Sequence, residues 1–123
     1  MAYLADDFGA GSSDVSNMKY HGYGTGTTAE SAAQTALVTE LTTEYAGNIR
    51  PTGSQADSTN TYTTVGTLTP DSGGTLAITE HGIFSANAAG TLWDRTVFAA
   101  INLDSTAGDS LVTTHVSTFP SGG

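Results

Sequence analysis

Within the apolar, β-branched stretch TLAITEHGIFSANAAGTLWDRTVFAAINL, residues 75–103, a carboxylate, an imidazole and a glycine stand together as Glu80, His81 and Gly82. Asp94 and Arg95 follow in the same stretch. Side chains of these types can act as general acid, general base and anion anchor of an active site. They can equally satisfy one another inside a sheet. Two physical facts favour the second role. Neighbouring residues of a strand face opposite ways, so Glu80 and His81 cannot act at one locus. A carboxylate paired with arginine has a lowered pKa and makes a poor general acid near neutral pH. No catalytic residue is expected, and the chain does not read as an enzyme.

Other chemistries find still less support. No serine stands in a G-x-S-x-G context, so no nucleophile elbow is written into the sequence. The run HGYGTGTT, residues 21–28, lacks both the lysine of a phosphate-binding P-loop and the G-x-G-x-x-G spacing, and its glycines read as turn residues. His21, His81 and His115 each stand alone, and the acidic pairs Asp6-Asp7 and Asp104 with Asp109 do not match a calcium loop. With zero cysteines there is no thiolate metal site and no disulfide. No metal or cofactor is expected.

The chain has 123 residues, enough for one domain with its own core. Apolar residues make up 37% and charged residues 12%, with threonine, serine and glycine abundant, a composition suited to strands and turns. Three basic residues stand against twelve acidic ones, a formal net charge of -9. Such a balance cannot neutralise a row of phosphates and excludes nucleic acid and anionic membrane surfaces as partners. The opening MAYLADDFGAG has neither the basic nor the apolar stretch of a secretory leader, and assembly in the cytoplasm is the expectation.

Residues 1–17 read as an extended arm with apolar anchors at Tyr3, Leu4 and Phe8, the candidate partner-binding residues, ahead of a single β domain over residues 18–123. Residues 18–26 alternate as a strand. Thr27 and Glu30 have capping-box spacing, and Ala33, Leu37 and Leu41 fall at helical intervals, which predicts a short helix within 27–41. Residues 44–60 read mostly as loop. Four strand runs follow, 59–69, 75–85, 91–103 and 110–119, joined by PDSGG, ANAAG and DSTAGD. The expected fold is all-β, an antiparallel sandwich or jelly-roll-like domain whose C-terminal half is a four-stranded meander.

Sharing one apolar face fixes a register for that meander. Pairing residues whose numbers sum to about 175 sets Ile78 opposite Val97, Glu80 opposite Arg95 and Gly82 beneath Trp93. The neighbouring hairpins then add Tyr62, Leu68, Ile101, Val112 and Val116 to the same face. Glu80 and Arg95 become a buried cross-strand ion pair, while His81 and Asp94 lie side by side on the other face. His115 falls near Phe98 on the outer surface.

The segments KYHGYGTGTTAESAAQTALVTEL, TVGTLT, AITEHGIFSA, GTLWDRTVFAAINL and DSLVTTHVSTF together resemble a family of small structural proteins of tailed bacteriophages. The resemblance spans Met18 to Phe119. It implies a β-sandwich virion component, either a capsid decoration (cement) protein or a tail-fibre-like module. It also implies scaffold roles for Glu80, Gly82, Phe84, Leu92, Arg95 and Phe98, with Trp93 where another apolar residue is more usual. The expected function is decoration of the outer surface of a phage head, as a homotrimer bound to the major capsid protein. The alternative is a tail-fibre or baseplate module that binds a host glycan or protein.

Overall fold

A computed structural model describes residues 17–31, 33–58 and 60–118. The chain is all-β. Among the described residues the strands are β1 (Tyr20–Gly24), β2 (Ser54–Ser58), β3 (Thr61–Leu68), β4 (Thr75–Phe84), β5 (Leu92–Asp104) and β6 (Leu111–Thr118), with a 3-10 turn at Ala46–Asn48. Two three-stranded antiparallel sheets form, in the orders β1-β4-β5 and β2-β3-β6. They face one another across a core of Tyr23, Leu41, Tyr45, Leu68, Ile78 and Leu103, a sandwich-like arrangement. Among the described residues no helix is long and apolar enough to cross a membrane. The anchors Tyr3, Leu4 and Phe8 lie outside the described residues.

The four C-terminal strands do not form the expected meander. Only β4 and β5 pair as a hairpin; β3 pairs with β6, from Thr61 opposite Thr118 to Leu68 opposite Leu111. The reason lies in β4, where seven consecutive residues, Ile78 to Phe84, are buried. A strand buried on both faces needs two covering layers, and one open sheet supplies none. Here the second sheet covers one face and the irregular segment between β1 and β2 covers the other.

The register also differs from the expected one, because β5 is longer than the strand facing it. Ile78 lies opposite Ile101, but Glu80 lies opposite Val97, so Phe98 to Ala100 bulge out against Thr79. Ile83 lies opposite Asp94 while Phe84 lies opposite Leu92, leaving Trp93 as the extra residue of a second bulge. Arg95 therefore faces Gly82, not Glu80, and Trp93 does not cover Gly82. A Cβ on Gly82 would instead meet Leu92 Cδ1 at 2.8 Å and Leu37 Cδ2 at 2.9 Å. On β6 the inward residues are Leu111, Thr113, His115 and Ser117, so Val112 (60%) and Val116 (54%) are exposed rather than core, as is Ile101.

The predicted helix within 27–41 does not appear among the described residues, which run through bends and turns that still bury Leu37 and Leu41. Strand β2 fell within the expected loop. Its sequence SQADS is exposed throughout, so it carries no hydrophobic alternation and takes its conformation from pairing with β3.

The close approach of the sheets needs Gly66 on β3, where a Cβ would collide with the ring of His21. Gly66→Ala is expected to destabilise the fold by roughly 1–3 kcal/mol through overpacking. The exposed neighbour change Thr67→Ala should stay within about 0.5 kcal/mol. Urea denaturation midpoints of the two variants check the difference.

Candidate functional site

Glu80 is fully buried, and its carboxylate gathers four donors. Oε2 accepts from the backbone N–H groups of Gly26 (2.9 Å) and Thr39 (2.7 Å), and Oε1 from Val38 N–H (2.9 Å) and Arg95 Nε (2.8 Å). Burial alone would raise its pKa. The Thr39 amide, the Arg95 guanidinium and the Val38 and Gly26 amides outweigh that effect and hold it below the ordinary carboxylate value. Such a group keeps its charge and cannot donate a proton near neutral pH. The expected pair of Glu80 with Arg95 is thus present, on one face and one step apart along the ladder.

A second pair, partly buried, has no counterpart in the sequence reading. Glu40 accepts from Arg50 Nε (2.6 Å), Arg50 Nη2 (2.9 Å) and the Tyr45 hydroxyl (2.8 Å). Arg50 Nη1 donates to the carbonyls of Ala86 and Ala89, and its guanidinium stacks 3.5 Å over the Phe84 ring. Of three basic residues in the chain, both arginines are consumed internally, which leaves Lys19 as the other cation. The sequence carried a usable signal: so few cations among apolar strands are best spent on buried acids.

The other face of β1 and β4 brings two histidines together between the sheets. His21 is fully buried and His81 is 7% exposed. His21 Nδ1 lies 2.8 Å from His81 Nε2, and His21 Nε2 lies 3.0 Å from Thr64 Oγ1. Thr113 joins them to the Tyr23 hydroxyl. Desolvation by burial, helped by the nearby His115, pushes His21 down to about 4. Burial, then the charges His21 and His115 would carry, pushes His81 down to about 3. Both are neutral at physiological pH and serve as packed hydrogen-bonding groups. His81 is therefore not beside Asp94.

Asp94 instead lies 3.8 Å from His115 Nδ1 at the mouth of the sandwich. There the bulge at Trp93 turns the indole toward the second sheet, with ring centroids 5.9 Å from Tyr62 and 5.4 Å from His115. His115 accordingly faces Trp93, not the outer surface near Phe98. Trp93, Asp94 and His115 line a cavity of about 430 Å³ together with Glu30, Ser31, Gln34, Leu92, Arg95 and Ser117. The Glu30 carboxylate is held there by the Val97 N–H, 2.9 Å away. No group of three or more metal-ligating side chains occurs among the described residues.

Compared with family models, curated proteins and solved structures, the chain matches none.

Removing the partner of a buried charge strands it. Arg95→Ala should cost roughly 3–5 kcal/mol in chemical denaturation, against a much smaller loss for a change at the exposed Asp57. The histidines give a pH dependence of definite sign. Both are depressed in the folded chain, so the unfolded chain binds their protons first, below the ordinary value of 6.5. Their contribution is complete above that pH and is lost as pH falls toward about 4 and 3. At pH near 5 stability should drop by about 2.7 kcal/mol per pH unit, the slope for two protons. Denaturant titrations between pH 7 and pH 5 measure it, and a flat profile would show that both rings titrate normally.

Proposed function

We propose that this chain is a virion structural protein, a decoration protein that binds the outer surface of a tailed-phage head and stabilises it. The resemblance to small phage structural proteins supports that reading, and so does the internal pairing of Glu80 with Arg95 and of His21 with His81. The observation that carries it is the outer face of the β2-β3-β6 sheet. Val112, Thr114, Val116 and Thr118 of β6 point outward, paired with Thr67, Val65, Thr63 and Thr61 of β3. Ser54, Ala56 and Ser58 of β2 continue the same face. On a chain of net charge -9 this face holds no charged side chain.

An uncharged face of short, stiff β-branched side chains suits a fixed contact with another protein. Little rotamer entropy is lost on binding, and no ion needs desolvating. The acidic remainder of the surface keeps free copies apart and soluble. Decoration as a homotrimer on the major capsid protein would add several such contacts through effective concentration, with the Tyr3, Leu4 and Phe8 arm as a further tether.

Reconstruction of the particle tests the assignment directly. Density for this domain is expected on the head lattice in high copy; density confined to the tail would reject decoration in favour of an adhesion module. Val116→Asp should leave thermal stability within about 0.5 kcal/mol, because the side chain is exposed, yet release the protein from purified heads in a co-sedimentation assay.

A further inference from the structure

The cavity beside Trp93 has polar chemistry that the fold does not use. Arg95 is anchored by Glu80 through Nε and by Thr28 O (2.8 Å) and Gln34 Oε1 (3.2 Å) through Nη1. Its Nη2 is buried with no acceptor, the one such side-chain atom among the described residues. Leaving such a donor without an acceptor costs free energy, so Arg95 is an unsatisfied polar group in the wall of the cavity. Gln34 Oε1 is already occupied by Arg95 and by Ser31 N–H, which fixes the amide and leaves its nitrogen as a donor. Asp94 stands at the mouth with its side chain half exposed, and Glu30 is oriented by Val97.

The charges choose among ligand classes. Arg95 is already matched by Glu80, and Glu30 and Asp94 add two carboxylates to the lining. Burial lowers the pKa of His115 although Asp94 opposes it, so His115 supplies no compensating cation at neutral pH. Anions are repelled from such a site. Among the described residues no ligand set for a divalent cation occurs. What the lining offers is donors and acceptors interleaved around one indole, itself held in place by Tyr62 and His115. A pyranose has the matching surface: apolar C–H groups for the aromatic ring and hydroxyls that both donate and accept.

We propose that the cavity formed by Trp93, Asp94, Arg95, Glu30 and Gln34 is a binding site for a neutral saccharide unit of a larger glycan. Trp93 packs against the sugar ring, Asp94 and Glu30 accept from its hydroxyls, and the Gln34 amide nitrogen, held in place by Arg95, donates to its oxygens. The site does not depend on where in a particle the domain sits. A head-bound copy would use it to hold particles at a glycan-coated surface, and failure of the capsid assignment would leave it intact.

Trp93 is the chain's single tryptophan, so its fluorescence reports on this cavity alone. The full chain is titrated with glucose, galactose, mannose, N-acetylglucosamine and N-acetylneuraminic acid, and screened on an array of neutral and sialylated oligosaccharides. At least one neutral sugar is expected to shift Trp93 emission saturably, with a roughly millimolar dissociation constant for the monosaccharide and tighter binding for an oligosaccharide. Asp94→Ala and Gln34→Ala should each weaken that binding about tenfold, read by ligand-observed NMR, while Thr114→Ala on the outer sheet face leaves it unchanged. Absence of binding by every neutral sugar would overturn the proposal. So would a preference for sialylated glycans, or equal affinity in the Asp94 and Gln34 variants.

Discussion

The buried carboxylate of Glu80 is the constraint around which the domain is arranged. A charge taken out of water must be met by donors of good geometry, and Glu80 meets one guanidinium and three backbone amides. Those amides belong to Gly26, Val38 and Thr39, so the carboxylate pins both ends of the segment that covers the outer face of β4. The same demand explains why that segment is not helical. Amides directed at a carboxylate cannot also close an intrahelical ladder, and the tertiary partner outweighs the modest helical propensity of SAAQTALVTEL. The chain must also pass very close to Glu80. Glycine at position 24 allows this, since a Cβ there would lie 2.5 Å from Oε2.

Opposite faces of β4 thus carry opposite solutions to burying polar groups. One face keeps its charge and surrounds it with donors. The other keeps His21 and His81 neutral, because burial between the sheets disfavours the imidazolium form of each. Each solution weakens in acid, the histidines as they take up protons and Glu80 as its carboxylate is neutralised at lower pH. The Glu40–Arg50 pair repeats the first solution where the irregular segment meets the β4–β5 turn through Ala86 and Ala89. Two ion pairs and one imidazole pair tie non-repetitive chain to the sheets.

These internal fastenings leave distinct surfaces for external contacts. Both arginines face inward, so the exterior is acidic. Two regions stand out: the uncharged valine and threonine face of β3 and β6, and the cavity where the β5 bulge sets Trp93 among polar side chains. A flat neutral face suits a large fixed partner, and a concave polar one suits a small hydrogen-bonding ligand.

The amino-acid sequence by itself determined the all-β class, the four long C-terminal strands to within a residue or two, and the pairing of Glu80 with Arg95. Strand propensity, turn residues and the cost of a lone buried charge are local or pairwise quantities, readable from residue types and parity. Sequence did not determine which strands pair. The meander of β3 to β6 and the crossed pairing of β3 with β6 satisfy the same turns, and the choice follows from the need to cover β4 on both faces. Parity arguments also fail across bulges, which is why Gly82 met Leu92 and Leu37 instead of Trp93, while the regular pairing of β6 with β3 turned Val112 and Val116 outward. The His21–His81 contact joins residues sixty apart, the orphaned Nη2 of Arg95 depends on where Thr28 and Gln34 come to rest, and neither leaves any trace in spacing. Only the tertiary structure decided them, because each arises where two independently formed surfaces meet.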